Sequence, residues 1–410
     1  MDRRVVLKHM ALLSAGAALP MGFRAFAVEA PRGAKLLGYI RTNWSRDRYS
    51  LGAYSYLAHG SNRGDLRALA EPVADWLYFA GEAANPDYTS TVHAAYESGQ
   101  TAARAASRSG AQKIAIVGAG MSGLSAAHFL ATRGYDVTLF EARDRLGGRL
   151  WTDQSLGLPL DLGASWIHGI KRNPLTDLAR QAGEKYIPTN DSYRIRGGDG
   201  RMISIRNAPE WLYEVGEVQN EYAADSDQID FGAYNYQQDY GGRHVIFPNG
   251  YAGILDALKA GYDVRLGSVV TSVTKGERGP AIGLASGEKP AFDAAIITLP
   301  LGVLKKKLVR FDPPLPPRKQ QAIDRLGMGT LDKVYLLFDR PFWDTSTWIA
   351  TPENGLKQGQ FNLWLNLNRY IQRPVIAAFN GGSAALALAG QSDRQMVAQA
   401  MATLARAYPG

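Results

Sequence analysis

The chain has 410 residues, 46% of them hydrophobic and 20% charged, which is the balance of a globular protein long enough for more than one core. The absence of cysteine excludes disulfides, thiolate metal sites and a cofactor attached through a cysteine, and the six histidines show no metal-ligand spacing. The net charge of +8 includes no basic run with interleaved aromatic residues, so a solvated basic surface is favoured over a nucleic-acid partner.

Residues 1–27 form the first distinct unit. Their sequence, MDRRVVLKHMALLSAGAALPMGFRAFA, has a charged start, an apolar stretch and a small-residue ending, which is typical of a secretory signal. The adjacent Arg3 and Arg4 resemble the start of a twin-arginine signal. The apolar stretch is too short to span a membrane. We therefore expect export to the periplasm; the alternative is a frayed amphipathic N-terminus.

Two segments with small and aromatic residues follow. WSRDRYSLGAYSY (44–56) predicts a strand on which Tyr54 stands among small neighbours, either packed across the sheet or facing a site. YFAGEAANPDYTSTVHAAYESGQTAARAA (78–106) predicts a strand that ends in Gly81 and Glu82, then a loop and a helix of small residues. Neither segment identifies a function by itself.

The segment KIAIVGAGMSGLSAAHFLATRGYDVTLFEARDRLGGRLW (113–151) predicts a strand, a glycine-rich turn, a helix and a second strand. This order is that of a dinucleotide-binding turn, in which the backbone touches a pyrophosphate at a helix N-terminus. Glu141 ends the second strand, where an acid binds ribose hydroxyls and argues against the 2′-phosphate of NADP. The residues predicted to contact the dinucleotide here are Gly118, Gly120, Met121, Ser122, Gly123, Glu141, Ala142, Arg143, Gly148 and Arg149.

Further segments carry a family resemblance. They are DLGASWIHGIKRNPLTDLARQAG (161–183), FPNGYAGILDALKAGYDVRLGSVVTSV (247–273), DAAIITLPLGVLK (293–305) and GMGTLDKVYLLFDRPFW (327–343). With the glycine turn and the two early segments, they resemble the flavin-containing amine oxidase family of monoamine oxidases, polyamine oxidases and lysine-specific histone demethylases. The resemblance runs from about residue 35 to 410 and is strongest to polyamine oxidases.

The resemblance implies noncovalent FAD as the cofactor. It places the backbone of Val270 at the adenine and Glu82, which follows Gly81, at the ribityl chain. It also points the helix that starts at Thr91 and Val92 towards the flavin.

The resemblance further implies three catalytic residues. Lys333 would hold a water near the flavin, Tyr54 would present its ring over the flavin, and His168 would face the substrate amine. By residue type alone, Lys333 would be a solvated strand lysine and His168 a satisfied loop histidine. Trp166 and Trp364 belong either to the pocket or to the core.

The order of these segments differs from that of the family. The closing segment (34–109) precedes the opening turn, and moving it behind residue 410 restores the usual order. We therefore predict a circular permutation in which the helix near 92–106 still docks on the sheet that contains 114–117.

The predicted fold is α/β, with an FAD/NAD(P)-binding Rossmann-like domain interleaved with a mixed-sheet α+β substrate domain. The predicted substrate-domain parts are 34–72, 171–242 and 304–410. The predicted FAD-domain parts are 73–109, 110–170 and 243–303.

Two departures from the family bear on the substrate. The helical stretch between EWLYEV and EYAADSDQIDFGAYN (210–235) is shorter than in relatives, which predicts a more open cap. Thr91 stands where many relatives carry a second aromatic ring. The acids of EYAADSDQID favour a solvated loop over a substrate-attracting surface.

The sequence therefore predicts an FAD-dependent oxidation of a primary or secondary, polyamine-like amine. The imine product would be hydrolysed to an aldehyde, and dioxygen would be reduced to hydrogen peroxide. The partners expected are a small amine and dioxygen. The alternatives are a flavin-binding protein with little or no catalysis and an NAD-linked dehydrogenase.

Overall fold

The computed structural model describes residues 31–235, 237–259 and 261–410, so the predicted signal at 1–27 lies outside the described residues. The α-helices in these ranges are α1 Arg63–Ala70, α2 Val92–Ala106, α3 Met121–Ala131, α4 Pro174–Gln181, α5 Trp211–Tyr213, α6 Asn220–Tyr222, α7 Leu301–Lys305, α8 Pro317–Arg325, α9 Asn368–Ile371, α10 Gly382–Leu388 and α11 Asp393–Ala407. Helices α5 and α6 are joined by a π-helical turn, Glu214–Gln219.

Short 3-10 helices lie at Pro31–Gly33, Glu82–Ala84, Ile205–Asn207, Ser226–Gln228, Phe231–Tyr234 and Tyr251–Leu258. The strands in the described ranges are β1 Leu36–Arg41, β2 Ser55–Tyr56, β3 Leu77–Phe79, β4 Lys113–Val117, β5 Asp136–Phe140, β6 Thr152–Asp153, β7 Leu160–Asp161, β8 Trp166–Ile167, β9 Ile187–Pro188, β10 Tyr193–Arg196, β11 Met202–Ile203, β12 Val245–Ile246, β13 Asp263–Arg265, β14 Val270–Lys275, β15 Pro280–Leu284, β16 Ala294–Ile297, β17 Arg310–Asp312, β18 Gly327–Met328, β19 Leu331–Phe338, β20 Trp348–Ala350, β21 Leu363–Asn366 and β22 Val375–Gly381.

A five-stranded parallel sheet with the order β13-β5-β4-β16-β3 forms the first large layer. Its central strands are continuous apolar runs because both faces are covered, as parallel sheets require. Helices α2 and α3 pack on one face. The small sheet β15-β14-β17 and helices α1 and α8 cover the other face.

Helix α2 packs closely on α3, and this contact depends on small residues. A Cβ atom on Gly99 would lie 2.1 Å from the carbonyl oxygen of Ser122. The two helices therefore approach backbone to backbone at this point. Helix α2 also contacts β16 and β3, so the prediction that it lies against the sheet of 114–117 is confirmed.

A seven-stranded mixed sheet with the order β1-β19-β22-β21-β20-β10-β11 forms the second large layer. Its pairs are antiparallel except for β10 with β20, which is parallel. Helix α11 contributes apolar residues to the core on one face of this sheet. In the part of the chain that the structure describes, no helix is both long and apolar enough to cross a bilayer.

The early segment of the chain contributes an edge strand to each large sheet. Strand β1 pairs with β19 at the edge of the seven-stranded sheet. Strand β3 pairs with β16 at the edge of the five-stranded sheet, with Phe79 opposite Ile297. The segment 34–109 is therefore docked on both layers rather than forming a separate unit.

Candidate functional site

One cavity of about 1510 Å³ is lined by residues from both large sheets. Single small ligands usually occupy roughly 300–1000 Å³, so this space suits a large cofactor together with a second ligand. All the predicted site residues except one lie on its wall: Tyr54, Gly81, Glu82, Thr91, Val92, Gly118, Gly120, Met121, Ser122, Glu141, Ala142, Arg143, Gly148, Arg149, His168, Val270 and Lys333.

The exception is Gly123, which lies in the first turn of α3 but not on the cavity wall. A Cβ atom there would lie 1.9 Å from the carbonyl oxygen of Gly118. Gly123 therefore permits the close approach of helix and strand that the glycine spacing predicts, and its contact with the dinucleotide stays a prediction.

The glycine turn between β4 and α3 forms the cradle at one end of the cavity. Gly118 has a φ of +105°, and a Cβ atom there would lie 2.6 Å from the hydroxyl of Thr298. Gly120 caps α3 without a side-chain hydrogen bond, so the first N–H groups of the helix face the cavity. Free N–H groups at a helix N-terminus bind phosphate, and this end therefore fits the diphosphate of a dinucleotide.

Glu141 lies beside this cradle at the end of β5 and is buried. One carboxylate oxygen accepts a hydrogen bond from the N–H of Ala119 at 2.7 Å, and the other accepts one from the N–H of Arg143 at 2.9 Å. The carboxylate thereby fixes both turns that flank the cavity. Glu141 also lines the cavity, so it is placed for the contact with a ribose that its position at the end of the second strand predicts.

Two ion pairs tie the early segment to the nucleotide turn. Arg143 forms a bidentate pair with Asp47, with N–O distances of 2.6 and 2.9 Å. Arg149 donates to Glu82 at 2.8 Å, and the hydroxyl of Ser55 donates to the other oxygen of Glu82 at 2.6 Å. Residues far apart in the sequence therefore meet at one wall of the cavity, and Glu82 is held rigid there.

Lys333 lies on β19 and is 4% exposed. Its ammonium donates hydrogen bonds to the carbonyl oxygens of Asp161 at 3.0 Å and Gly163 at 2.7 Å, and to the hydroxyl of Ser165 at 2.7 Å. Burial lowers the pKa of Lys333, and the charge of Asp161 opposes this shift. Lys333 therefore releases its proton more readily than a lysine in water.

Asp161, whose carbonyl accepts from Lys333, also has a shifted carboxyl group. Burial raises the pKa of Asp161, although hydrogen bonds from the Thr152 hydroxyl and the Tyr251 N–H oppose the rise. Lys333 and Asp161 interact, so their protonation is linked. The sequence did not point to Asp161, because its role depends on the distant strand that carries Lys333.

An aromatic wall surrounds Lys333. Trp166 and Trp348 stack with ring centroids 6.0 Å apart, and Phe379 packs edge-on against both. The ammonium nitrogen of Lys333 lies 5.2 Å from the ring of Phe379. These rings line the cavity, whereas Trp364 is fully buried in the core below the sheet. The wall presents π-faces, which attract cations.

Tyr54 and Thr91 lie on neighbouring parts of the wall. The hydroxyl of Tyr54 donates to the carbonyl oxygen of Asn220 at 2.5 Å, which fixes the ring against α6. Thr91 accepts a hydrogen bond from the N–H of Ala94 and thereby caps α2. The N-terminus of α2 thus faces the cavity, as the predicted helix start requires.

His168 lies in a group of histidines. Its ring is 5.3 Å from that of His244, and it is exposed to the cavity although protein atoms surround its other sides. Burial, then the charge of His244, lowers the pKa of His168. His93 is buried edge-on against Tyr88 and Tyr240, and burial lowers its pKa to about 3. Both rings are therefore neutral near pH 7.

Carboxylates gather at the end of the cavity away from the glycine turn. The acidic residues on this part of the wall are Asp191, Glu210, Glu217, Glu221 and Asp239. Burial, then the charge of Glu217, raises the pKa of Glu221. Glu221 is exposed and lines the cavity, whereas Asp225 accepts hydrogen bonds from Gln219 and Ser383.

The cap region over these carboxylates is a continuous helical stretch from α5 through the π turn to α6. Tyr213 lines the cavity from this stretch and is 69% exposed, which places it at the rim. In the described ranges, no group of three or more histidine, aspartate or glutamate residues is arranged to hold a metal ion.

Sequence reasoning missed several wall residues: Arg48, Tyr49, Tyr193, Trp348 and Phe379. Phe379 pairs in register with Lys333, and Trp348 pairs in register with Tyr193. No local signal in the sequence indicates which strands pair. Arg48 and Tyr49 lie within the segment WSRDRYSLGAYSY (44–56), and their charge and ring next to Asp47 were a usable signal.

The comparisons with known proteins find family models and relatives to which the chain is similar. The family model described as flavin containing amine oxidoreductase matches residues 23–107, 121–191 and 190–410. A second model, described as pyridine nucleotide-disulphide oxidoreductase, matches residues 78–155, which include the glycine turn.

Among curated proteins, polyamine oxidase 4 of Oryza sativa subsp. japonica is 29% identical over 356 residues, which cover 72% of this chain and 73% of that protein. Polyamine oxidase 2 of Arabidopsis thaliana is 29% identical over 357 residues, with 72% of each chain covered. A lysine-specific histone demethylase 1B homolog of Caenorhabditis elegans is 33% identical over 307 residues, which cover 57% of this chain and 37% of that protein.

Among solved structures, wild-type putrescine oxidase bound to putrescine superposes with a TM-score of 0.53 at 21% identity, covering 72% of this chain and 81% of that chain. A cofactor-binding mutant of putrescine oxidase gives a TM-score of 0.56 at 19% identity, covering 73% and 81%. At these identities the likeness concerns the fold alone.

Proposed function

The chain belongs to the flavin-containing amine oxidase family, with FAD as its cofactor, and we propose that it oxidises a primary or secondary amine of the polyamine type. The products would be an imine, which is hydrolysed to an aldehyde, and hydrogen peroxide from dioxygen. The observation that carries this proposal is that one cavity joins the nucleotide cradle, Lys333 and a group of carboxylates.

The residues that would hold FAD are those of the cradle end. The N–H groups at the start of α3 suit the diphosphate, Glu141 the ribose and Glu82 the ribityl chain. When bound, FAD supplies a two-electron acceptor for the carbon next to the amine nitrogen. The chain has no cysteine, so a thioether bond between cysteine and the flavin is excluded.

The carboxylate end would select a cationic substrate. An amine arrives protonated at neutral pH, and Glu217 and Glu221 offer negative charge on the cavity wall. Oxidation requires the neutral amine. The aromatic wall of Trp166, Trp348 and Phe379 removes water from the amine, which lowers its pKa.

Lys333, Tyr54 and His168 are the proposed catalytic residues. A lysine with a lowered pKa can hold a water or exchange a proton at its Nζ atom, which suits imine hydrolysis or dioxygen reduction. The ring of Tyr54 would bound the amine on one side, and neutral His168 could accept a hydrogen bond from it.

A second candidate function is FAD binding with little or no oxidation. One observation favours it: all three N–H bonds of Lys333 have protein acceptors, so an additional water must compete with them. A panel of mono-, di- and triamines separates the two functions. Bleaching of the flavin absorbance and release of peroxide by any amine supports the oxidase; a yellow protein inert to the whole panel contradicts it.

The permutation, the domain division and the export route are also proposals. Support for the permutation comes from the pairing of β3 with β16 and from the ends, where Arg32 donates to the carbonyl oxygen of Pro409 at 3.5 Å. The proposed FAD domain comprises 73–109, 110–170 and 243–303, and the rest of 34–410 forms the substrate domain. Export to the periplasm rests on residues 1–27, and cleavage near Ala27 on secretion would test it.

A further inference from the structure

Three arginines line the cavity in the described part of the chain, and they differ in how their charge is balanced. Arg143 is paired with Asp47, and Arg149 is paired with Glu82. Arg48 has no carboxylate within ion-pair distance among the described residues, and its side chain is exposed to the cavity. Arg48 is therefore the arginine that contributes uncompensated positive charge to this wall.

The guanidinium of Arg48 lies over the aromatic ring of the next residue, Tyr49. Its guanidinium lies 4.9 Å from the centroid of the Tyr49 ring, and the guanidinium of Arg143 lies 5.4 Å from the same centroid. The N–H of Tyr49 donates to Asp47 at 2.9 Å, so the loop is anchored to the pair that Asp47 makes with Arg143. The ring thereby holds two guanidinium groups close together, and Asp47 balances the charge of Arg143 but forms no ion pair with Arg48.

The remaining positive charge, that of Arg48, is balanced when an anion binds beside its guanidinium group. Arg143 follows Glu141 by two residues, so this pair of cations lies beside the nucleotide cradle. The diphosphate of FAD carries a negative charge on each phosphate, and the N–H groups of α3 balance only part of it. We propose that Arg48, positioned by Tyr49, supplies the remaining positive charge to the diphosphate of FAD.

The test is the affinity of the full-length chain for FAD, measured by quenching of flavin fluorescence after the bound flavin is removed. Arg48→Gln should raise the Kd for FAD roughly tenfold at about 10 mM salt, which is the loss of one charge-assisted hydrogen bond. The increase should shrink at about 1 M salt, where the Debye length falls from about 30 Å to about 3 Å. Arg48→Lys should retain most of the wild-type affinity.

The matched control is Arg46→Gln, which removes an exposed arginine from the same loop but outside the cavity wall. It should leave the Kd unchanged at both salt concentrations. Equal losses in the two glutamine variants would overturn the proposal, and so would a loss in Arg48→Gln that does not depend on salt. Unfolding of the flavin-free variants shows whether each is folded, and Arg48→Met, which also removes the charge and should show the same salt-dependent loss, carries the test if Arg48→Gln is not. The result is independent of whether the chain oxidises amines, since it measures only FAD binding.

Discussion

Two buried lysines, Lys333 on β19 and Lys319 on α8, have similar surroundings but lie in two different regions of the molecule. Lys333 donates to two backbone carbonyls and a hydroxyl and lies 5.2 Å from the ring of Phe379. Lys319, on α8, donates to the carbonyls of Ala68 at 2.8 Å and Leu69 at 2.6 Å and lies 4.3 Å from the ring of Phe79.

Burial lowers the pKa of both lysines, in the case of Lys319 to about 7. Only one of the two regions adjoins the cavity: Lys333 lines it, whereas Lys319 lies in the packed layer between α8 and the end of α1. A buried lysine with a lowered pKa is therefore not by itself a sign of catalysis. Contact with the space that holds the reactants distinguishes the two.

The largest expected effect comes from removing each lysine in turn. Lys333→Met should lower kcat by about a hundredfold, the usual contribution of a positioned acid or base. Lys319→Met should leave kcat within about twofold, because it touches no wall of the cavity. Turnover of a diamine at constant flavin content is the measurement. Normal turnover in Lys333→Met would show that Lys333, like Lys319, is not needed for catalysis, and the catalytic assignment would be wrong.

Substrate specificity provides the next test, because only the Lys333 region adjoins the cavity that would bind the substrate. Glu221→Gln should raise the KM for a di- or triamine about fivefold with little change in kcat, because it removes charge that attracts the substrate in ground and transition states alike. Glu277→Gln, an exposed acid outside the cavity, is the control. An equal rise in KM for a simple alkyl monoamine would mean that Glu221 does not recognise the second cationic group.

A smaller effect is expected from Lys319 on the pH dependence of the free energy of unfolding. The folded-state pKa of Lys319 lies below its unfolded value, so between about 7 and about 10 the unfolded chain binds a proton that the folded protein has released. Lys319 therefore makes the free energy of unfolding rise with pH through this window, and it contributes no slope below it.

Urea unfolding of the wild type and of Lys319→Met at several pH values measures this contribution. The difference between the two free energies should grow in favour of the wild type from about pH 7 to about pH 9. A difference that stays constant with pH would mean that Lys319 keeps its proton when buried, held by the carbonyls of Ala68 and Leu69.

The two regions also differ in what the sequence could predict. The nucleotide turn was predictable because its glycines, its helix start and Glu141 act through local backbone geometry at fixed spacing. Lys333 was found through its resemblance to a family motif, and nothing in the pattern of its strand distinguishes it from a solvated lysine. The wall that gives Lys333 its surroundings comes from Phe379 and Trp348, whose positions follow from strand pairing over long sequence distances.

Gly123 and Glu221 differ in how well the sequence predicts their surroundings in the fold. Gly123 allows the backbone of α3 to approach Gly118, which is the packing role that the glycine motif assigns to its third glycine. Glu221 lies in a polar run that is typical of a solvated loop, but α6 turns it into the cavity. Polarity alone does not indicate whether a charged side chain faces bulk water or an internal space of this size.

The smallest expected effect comes from reordering the segments of the chain. The new order changes the sequence position of segments that belong to both regions. A chain that starts at residue 110, continues to 410 and then through 34–109 keeps every strand pair, because β1 still pairs with β19 and α1 still meets α8. Arg32 and Pro409 are in contact, so the new junction requires little added length. Cutting before Gly110 opens a connection between α2 and β4 at an exposed residue.

We expect the reordered chain to bind FAD within about twofold of the original affinity and to melt within a few degrees of it, because both orders bury the same surfaces. It should retain the Lys319 pH slope and the kcat that depends on Lys333. Loss of one property with retention of the other would show that only one region tolerates the change of order. Loss of both, in a chain that stays soluble but unfolded, would mean that the present order is required for folding, and the proposed relationship by circular permutation would lose its support.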